Sequence, residues 1–499
     1  MKTILRKTSC VLLAVILFCS VLPLKAAASY EISGTCQVQV DGGTVYTVKT
    51  LDYSYEHNTY LSLRDLAMLL KGTGKEFSLE VRKNAVSLNP GEGYVPAGTE
   101  NATWETGRDP NLTLRRNEFK VSGQDVRYYT LIMKLASGDY DCFMMAADLA
   151  MILDMDITAS GDGLLQIDTG SPLRVLPAEL EQAGYFYGVN GVLVGDATTG
   201  EVYYQYQSDV PCPIASTSKL MTCLLAMEAI GTGEITAEDV FTVSGKASAL
   251  AASDDGVISL KQGEQITVQD LLLGALLPSS NECALCLAEG LAGSEEAFVE
   301  RMNRKARELG LSQALFFNSN GLPVYTEDPV PAKCQNRMSA SDMFRLASYL
   351  LRVYPQVKDI TSLREAVLSA NGYTAKNTNP LLYNLPGVTG LKTGTTNKAG
   401  ACLVTSLAAD DGVMEHDLVV VVLGTEDTVE RGRVSGLLAK YALQAFAEGR
   451  GPGAESGKTG TEGGKAGMPA RQPGELPTHA EAAVERILRT ACGIWKSGL

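Results

Sequence analysis

The segment Ala215-Ser-Thr-Ser-Lys-Leu-Met-Thr222 places a serine and a lysine three positions apart. On a helix, side chains with this spacing share one face, so Ser216 Oγ and Lys219 Nζ can approach to hydrogen-bonding distance. A serine hydroxyl is a weak nucleophile until a base takes its proton. A lysine can be that base only when burial and nearby positive charge lower its pKa. The two residues are therefore a candidate nucleophile and base.

The alternative is that this pair arose by chance, because a four-residue pattern with two fixed positions is common. Two features of the chain argue against that alternative. No other Ser-x-x-Lys occurs in the sequence. The pair also follows Pro211-Cys-Pro-Ile-Ala215, a rigid entry into the apolar segment Leu220-Met-Thr-Cys-Leu-Leu-Ala226.

A second polar group, Ser279-Ser280-Asn281, comes directly after the apolar residues 271–278. Buried hydroxyl and amide groups at such a junction need hydrogen-bond partners. One interpretation is a helix cap, in which Ser279 or Ser280 accepts from backbone N–H groups. The other is a proton relay and a substrate-binding amide beside the lysine. A rival Ser-x-Asn, Ser369-Ala-Asn371, lies in a polar, glycine-containing stretch without that helical setting.

A third group, Lys392-Thr393-Gly394, lies on a predicted strand. The glycine allows another stretch of backbone to approach closely. The lysine and threonine can present a positive charge and a hydroxyl to a carboxylate. The same tripeptide recurs at Lys458-Thr-Gly460 within a Gly-rich stretch, and we interpret that copy as a chance occurrence.

In this order, the three groups resemble the motifs of the penicillin-binding protein and serine β-lactamase superfamily. Their surroundings are similar to those of the low-molecular-weight penicillin-binding proteins that are serine-type D-alanyl-D-alanine carboxypeptidases. The similar segments are Leu277-Pro-Ser-Ser-Asn281, Phe298-Val-Glu-Arg-Met-Asn303, Leu309-Gly-Leu311, Asn318-Ser-Asn-Gly-Leu322 and Gly390-Leu-Lys-Thr-Gly394. The resemblance covers roughly residues 185–445.

This resemblance implies an acyl-enzyme mechanism that removes the terminal D-alanine from peptidoglycan stem peptides. The implied catalytic residues are Ser216, Lys219 and Ser279. The implied substrate-binding residues are Asn281, Lys392, Thr393, Gly394 and Thr395.

In the implied reaction Lys219 deprotonates Ser216, and Ser279 passes a proton to the departing D-alanine. Backbone N–H groups of Ser216 and Thr395 would hold the oxyanion. The resemblance also implies that β-lactams acylate the same serine and that no cofactor or metal ion is required.

The fold implied by the resemblance is an α/β domain of the β-lactamase/DD-peptidase type, with an antiparallel sheet covered by helices and a mainly helical subdomain. The residue pattern agrees, since strands precede and follow a long helical stretch from Lys219 to about Leu351. The predicted strands span 191–195, 201–205, 387–395, 400–407 and 417–424, and a helix closes the domain at about 429–448. Strands at both ends of the domain predict one sheet assembled from both, covered by helices. Leu418-Val-Val-Val-Val-Leu423 is apolar throughout, as in a strand covered on both faces.

A small α+β repeat domain is predicted before the catalytic domain. Tyr60-Leu-Ser-Leu-Arg-Asp-Leu-Ala-Met-Leu-Leu70 recurs as Phe143-Met-Met-Ala-Ala-Asp-Leu-Ala-Met-Ile-Leu153. Each copy has apolar residues at helical spacing, which predicts a short helix followed by a strand, at 85–89 and at 164–168. The pattern resembles the copper amine oxidase N-terminal-like module, and we interpret it as a non-catalytic spacer or wall-binding unit.

Composition and segment boundaries complete the predicted organisation. The predicted parts are a signal peptide (1–28), an accessory repeat module (30–175), the catalytic domain (185–448), a flexible linker (449–477) and an amphipathic helix (478–499). A basic start, an apolar stretch and Ala26-Ala-Ala28 predict cleavage and secretion to the cell wall or the outer face of the membrane, against the alternative of an uncut anchor. The final helix could contact a membrane peripherally or pack on protein, and the sequence leaves both open.

Charge, cysteine and histidine usage exclude several other classes of function. The formal net charge of −14 would repel nucleic acid, so no nucleic-acid partner is expected. After the predicted signal peptide the number of cysteines is odd, so no disulfide framework is expected. Cys283 and Cys286 are predicted to be buried helix residues. With only His57, His416 and His479 present, neither a His-rich metal site nor a Ser-His-Asp triad is expected.

Three alternatives remain open at this level. A class A β-lactamase would need a Glu-x-x-Leu-Asn type loop, and none occurs between Asn281 and Lys392. An endopeptidase that cuts cross-links with the same residues is compatible with the sequence. A wall-binding protein with an inactive catalytic domain is disfavoured by the intact set of candidate residues.

Overall fold

The computed structural model describes residues 30–449, apart from 54–57, 99, 101–106, 110–116, 129, 136, 160–162, 183 and 327–331. The chain divides into two compact units, the first holding residues 30–124 and 130–171 and the second holding 125–128 and 172–449. The predicted signal peptide, the predicted C-terminal helix and nearly all of the predicted linker lie outside the described residues. Among the described residues, no helix combines the length and hydrophobicity that crossing a bilayer requires.

The first unit is a mixed α+β structure. Its elements are β1 (Tyr30–Val40), β2 (Val45–Tyr53), β3 (Asn58–Ser62), α1 (Leu63–Leu69), β4 (Phe77–Arg82), β5 (Ala85–Pro90), β6 (Gly107–Asp109), β7 (Glu118–Val121), β8 (Gln124–Val126), β9 (Leu131–Lys134), β10 (Tyr140–Met145), α2 (Ala146–Leu153), β11 (Asp156–Ala159) and β12 (Leu165–Asp168). One sheet has the strand order β11-β12-β1-β2-β3-β10-β9, with β6 also paired to β1, and the other has the order β4-β5-β7-β8. The last two residues of β8 are among those counted with the second unit.

The internal repeat forms two strand-to-helix junctions, so the prediction of a helix over each whole copy is wrong at its start. The first three residues of the copies pair with each other in antiparallel register, Tyr60 with Met145 and Ser62 with Phe143. This long-range pairing buries Tyr60 and Phe143 in the core of the unit and overrides the local helical pattern. Helix α1 begins only after Ser62, whose side chain caps it by accepting from the Asp65 N–H.

The second unit contains the remaining elements. They are α3 (Pro177–Gln182), β13 (Gly191–Asp196), β14 (Glu201–Tyr206), β15 (Cys212–Pro213), a 3-10 turn (Ala215–Ser218), α4 (Lys219–Gly231), β16 (Val240–Thr242), α5 (Gly245–Ala251), β17 (Gln265–Thr267), α6 (Val268–Leu276), α7 (Asn281–Ala292), α8 (Glu295–Glu308), β18 (Val324–Thr326), β19 (Ala332–Cys334), β20 (Arg337–Met338), α9 (Ala340–Val353), α10 (Val357–Thr361), β21 (Glu365–Val367), β22 (Thr374–Lys376), α11 (Leu381–Asn384), β23 (Val388–Thr396), β24 (Gly400–Asp410), β25 (Glu415–Thr425) and α12 (Thr428–Ala447).

The central sheet of the second unit has the order β14-β13-β25-β24-β23, and the neighbouring strands are antiparallel. The prediction of one sheet assembled from both ends of the domain is therefore confirmed. Residues 418–423 of β25 are fully buried, which confirms a strand covered on both faces. Val419, Val421 and Leu423 join the core that contains α9, while α12 also packs on β25.

The predicted helical stretch is confirmed as a subdomain of helices α4 to α8, interrupted by short antiparallel strand pairs. Leu, Ala and Met side chains of these helices form one continuous core, which includes Met221, Leu272 and Leu285. Cys283 and Cys286 are buried on α7, as predicted. Because α4 and α7 pack together in this core, the residues at their N-terminal ends are brought to one place.

Candidate active site

Ser216 lies in a tight 3-10 turn that leads into α4, rather than on the α-helix itself. In a 3-10 turn, side chains at i and i+3 are nearly eclipsed, which aligns Ser216 with Lys219. The preceding Ala215 has a φ of +48°, a left-handed conformation that costs energy for a residue with a Cβ. Gly321 packs against this turn so closely that an added Cβ would lie 2.0 Å from Ala215 O. The surrounding chain thus holds Ala215, the residue before the half-buried Ser216, in a conformation that the local sequence alone would not favour.

Lys219 is completely buried and hydrogen-bonded to three oxygen atoms. Its Nζ lies 2.9 Å from Ser216 Oγ, 2.7 Å from Asn281 Oδ1 and 2.8 Å from Asn320 O. The two carbonyl oxygens can only accept, so each takes an N–H from the amine. When Lys219 is neutral, its remaining lone pair therefore faces the Ser216 hydroxyl. This geometry is that of a base directed at a nucleophile.

Burial lowers the pKa of Lys219 to about 7, although the nearby charge of Glu282 acts in the opposite direction. A lysine in water is almost entirely protonated at neutral pH. Here a substantial fraction is neutral at neutral pH and can accept a proton. The protein thus supplies the condition that a lysine base requires.

Lys392 is also buried, and its environment differs from the predicted one. Its Nζ donates to Thr393 O at 2.9 Å in the interior of the unit. Burial and the charge of Lys219 hold the pKa of Lys392 well below its usual range. The Lys392 side chain is not exposed to solvent, and its lowered pKa favours the neutral amine more than in a lysine in water.

The Lys-Thr-Gly strand β23 is at the edge of the central sheet and runs against the Ser216 turn. A Cβ added at Gly394 would lie 2.8 Å from Ser216 N, so only glycine allows this approach. Thr393 Oγ1 is 2.6 Å from Thr378 Oγ1. The exposed Thr395 accepts a hydrogen bond from Arg431 at 3.2 Å. The strand therefore lines one side of the site with two threonine hydroxyls.

The helix-cap interpretation of Ser279-Ser280-Asn281 is confirmed for Ser280, and Asn281 lies beside the lysine. Ser280 is the N-cap of α7 and accepts from the Cys283 N–H at 3.0 Å. Asn281 donates through Nδ2 to Asp255 O at 2.8 Å, which turns its Oδ1 toward Lys219. Ser279 is half-buried with a φ of +69°, a second left-handed non-glycine residue at the site. Among the described residues, Ser279 is not a hydrogen-bond partner of Lys219.

The rival Ser-x-Asn has a structural role. Ser369 donates to Asp270 Oδ2 at 2.6 Å, and Asn371 Oδ1 accepts from the Tyr373 N–H within a turn. The second Lys-Thr-Gly, at 458–460, lies outside the described residues. The structure therefore brings Ser216, Lys219, Asn281 and the Lys392–Thr395 strand together, with Ser279 two residues from Asn281.

Sequence reasoning missed three participants in this arrangement. Asn320 contributes a main-chain oxygen, which a side-chain pattern cannot reveal, although it lies in a segment that resembled the family. Thr378 and Arg431 contact Thr393 and Thr395 from elements that carry no recognisable motif. Arg431 lies in the closing helix and is buried in the structure, but its position in the sequence carries no pattern that marks it.

His416, the one histidine among the described residues, is hydrogen-bonded to two carboxylates away from Ser216. His416 Nδ1 is 2.7 Å from Asp196 Oδ2, and Nε2 is 3.3 Å from Asp411 Oδ2. With both ring nitrogens held by carboxylates, His416 is not placed to deprotonate Ser216; His57 and His479 lie outside the described residues. In the described part of the chain, no three His, Cys, Asp or Glu side chains cluster as a metal ion would require.

The chain is similar in sequence to several proteins of known family. Residues 189–427 match a family model described as D-alanyl-D-alanine carboxypeptidase. The D-alanyl-D-alanine carboxypeptidase DacF of Bacillus subtilis is 38% identical over 251 residues, which is 50% of this chain and 60% of that protein. A D-alanyl-D-alanine endopeptidase of Pseudomonas aeruginosa is 32% identical over 239 residues, 47% of this chain and 70% of that protein.

A solved structure gives a similar match. The peptidoglycan synthesis regulatory factor PBP3 of Streptococcus pneumoniae is 30% identical, with a TM-score of 0.47, over 52% of this chain and 72% of that one. The chain spans 60% of the length of DacF. Residues 189–427, which match the family model, contain the Ser216 turn, α7 and β23.

Proposed function

Because the chain belongs to the D-alanyl-D-alanine carboxypeptidase family, we propose that it is a serine DD-carboxypeptidase that removes the terminal D-alanine from peptidoglycan stem pentapeptides. The observation that carries the proposal is the Ser216–Lys219 pair. The two atoms lie 2.9 Å apart, the lysine pKa is lowered to about 7, and the amine lone pair is directed at the hydroxyl. A buried neutral lysine in this geometry has a chemical role that a surface lysine lacks.

In the proposed reaction, Lys219 accepts the Ser216 proton while Oγ attacks the carbonyl carbon between the two D-alanines. The C–N bond then breaks as the proton held by Lys219 passes through the Ser279 hydroxyl to the leaving D-alanine amine, and an acyl-enzyme remains. Water hydrolyses the ester and restores the serine. The close approach of Gly394 to Ser216 N supports an oxyanion site formed by the Ser216 and Thr395 N–H groups.

Recognition of the terminal carboxylate is assigned to β23. Thr393 and Thr395 offer hydroxyl groups on the strand, and the Arg431 guanidinium contacts Thr395. Lys392 is buried in the same strand and would add a positive charge only in its protonated form, which its lowered pKa disfavours. Hydrogen bonds to a carboxylate are stronger than those between neutral groups, so this set favours a substrate with a free C-terminus. Asn281 would orient the peptide while it holds Lys219.

The proposal is tested with purified residues 29–499 and a stem pentapeptide that ends in D-alanyl-D-alanine. We expect release of one D-alanine, with the tetrapeptide as the other product, measured by mass spectrometry. Failure to release D-alanine, with a well-folded protein, would sink the proposal. Rapid penicillin hydrolysis without a stable adduct would instead assign a β-lactamase.

A second candidate, cleavage of peptide cross-links, is favoured by one observation. The relative from Pseudomonas aeruginosa carries the name endopeptidase. The same serine and lysine could attack a D-alanyl carbonyl within a cross-link. A cross-linked muropeptide dimer offered beside the pentapeptide decides between the two, because a carboxypeptidase leaves the dimer intact.

We further propose an extracytoplasmic location and the domain boundaries predicted above. Peptidoglycan is outside the cytoplasmic membrane, and the proposed substrate would be met there after secretion. β-Lactams would act as inhibitors by acylating Ser216. The first unit is proposed to be a non-catalytic accessory module, and the C-terminal helix a peripheral membrane contact.

We expect the rate of Ser216 acylation by benzylpenicillin to fall about tenfold per pH unit below a pKa of about 7. Lys219 must be neutral to accept a proton, and acid converts it to the inactive ammonium form. Above this pKa the rate should level off, because the base is then fully neutral. Stopped-flow or quenched mass measurements across the neutral range test this. A rate that is flat through neutral pH into acid would contradict the role of Lys219.

Replacing Gly394 by alanine should reduce acylation about 100-fold, because the added Cβ would push β23 away from Ser216 N. The matched control is Gly74→Ala, where nothing lies within 4 Å of the added Cβ and the backbone φ is not positive. The rate of benzylpenicillin acylation is measured for both variants, together with their melting temperatures. Equal rates in the two variants would show that the strand does not need this close approach.

A further inference from the structure

Arg127 lies far outside residues 189–427, the part of the chain that matches the family model. It nevertheless contacts the part of the second unit that supports the Lys-Thr-Gly strand. The segment 125–128 is separated in sequence from the rest of the second unit and is counted with it by its contacts. The Arg127 N–H donates to Asn384 Oδ1 at 2.7 Å, and Asn384 Nδ2 donates back to Arg127 O at 2.7 Å. This reciprocal pair fixes the main chain of the segment on helix α11.

The guanidinium of Arg127 makes three further contacts with the same region. Nη1 donates to Asn377 O at 2.8 Å, and Nη2 donates to the Tyr383 hydroxyl at 2.7 Å. The guanidinium carbon lies 3.8 Å from the centre of the Tyr383 ring, within the range of a cation–π interaction. A single planar group thus joins the carbonyl of Asn377 to the ring and hydroxyl of Tyr383.

Asn377, whose carbonyl accepts from Arg127, is followed by two residues that contact strand β23. Thr378, next to Asn377, donates its N–H to Leu277 O at 3.1 Å and contacts Thr393 Oγ1 through its hydroxyl at 2.6 Å. Asn379 then donates to Gly390 O of β23 at 2.7 Å. Residues 377–379 therefore connect Leu277, two residues before Ser279, to strand β23, which carries Thr393.

We propose that Arg127 is a positioning residue of the active site, and that it acts through residues 377–379 to hold Thr393 for the substrate carboxylate. This inference rests on the proposed function for its choice of substrate. Arg127 touches neither the nucleophile nor the base. Its loss should therefore weaken binding of the free C-terminus and leave the chemical step nearly unchanged. The catalytic unit would then depend on a segment that lies outside the residues matching the family.

The test compares the full chain with its Arg127→Ala and Arg127→Lys variants. We expect KM for the pentapeptide to rise about tenfold in Arg127→Ala with kcat within about twofold. Arg127→Lys keeps the charge but lacks the two nitrogens that donate to Asn377 O and to the Tyr383 hydroxyl. It should therefore show most of the rise in KM expected for Arg127→Ala. The control is Arg82→Ala, an exposed arginine paired only with Glu80 among the described residues.

Coupling through Thr378 is tested with a double-mutant cycle. If Arg127 acts through the Thr378–Thr393 contact, Thr378→Val should raise KM by itself. The double variant should then raise KM by less than the product of the two single increases. Multiplicative effects of the two changes, or a lower melting temperature with unchanged KM, would overturn the proposal.

Hydrogen exchange provides a readout that does not require activity. Peptides covering 377–396 should exchange faster in Arg127→Ala than in the wild type, and Arg82→Ala should match the wild type. Unchanged exchange there would refute the positioning role. If the wild type releases no D-alanine, the proposed function fails, while this exchange measurement still decides whether Arg127 holds the strand.

Discussion

Replacing Ser216 by alanine should abolish D-alanine release and the formation of a covalent benzylpenicillin adduct. Among the described residues, Ser216 Oγ is the one hydroxyl oxygen that hydrogen-bonds to Lys219 Nζ, so the variant can form no ester at this position. We expect a loss of at least about 10⁴-fold in kcat/KM. Intact-mass spectrometry after incubation with benzylpenicillin, together with D-alanine release, measures both effects.

The control for this change is Ser369→Ala, which removes a serine from the rival Ser-x-Asn. Ser369 donates to Asp270 and contacts none of the candidate catalytic residues by hydrogen bonding. Ser369→Ala should therefore retain acylation even if its stability is lowered by the lost hydrogen bond. An adduct on the Ser216→Ala protein, with unchanged stoichiometry, would show that the nucleophile lies elsewhere.

Replacing Lys219 by methionine should reduce acylation by about 10³- to 10⁴-fold, since the serine proton then has no base. Methionine preserves most of the length of the buried side chain and carries no amine. The variant leaves Asn281 Oδ1 and Asn320 O without their shared donor, so a lower melting temperature is also expected. Acylation is measured at a temperature where both proteins remain folded.

The matched control is Lys305→Met on α8. Lys305 is largely buried and pairs with Glu228 at 2.7 Å and Glu308 at 2.9 Å, so its loss also removes interactions of a lysine. It should lower stability and leave the acylation rate close to that of the wild type. Similar loss of acylation in both variants would mean that the Lys219 effect is a general consequence of losing a buried lysine.

Much of the catalytic unit could be predicted because its determinants are local in the sequence. The wholly apolar segment 418–423 predicts a strand covered on both faces, and it is the central strand β25 of the sheet. Ser216 and Lys219 are three residues apart, so any tight helical turn brings them together. Gly394 was expected to allow a close backbone approach, and it does so at Ser216 N.

The features that escaped prediction depend on contacts between distant parts of the chain. The starts of the repeat helices were misplaced because Tyr60–Ser62 and Phe143–Met145 pair across the repeat. The buried position of Lys392 arises from packing that no single motif encodes. The carbonyl of Asn320 and the side chain of Arg127 act through contacts at separations of more than 100 residues, and no local pattern marks them.

The central claim is that Ser216, activated by Lys219, is the acylated residue. The most direct measurement is peptide mapping of the protein after reaction with benzylpenicillin, with fragmentation of the peptide that ends at Lys219. The account predicts a single adduct on Ser216, lost in the Ser216→Ala variant and formed far more slowly in the Lys219→Met variant. An adduct on any other residue, or D-alanine release that survives in Ser216→Ala, would contradict it.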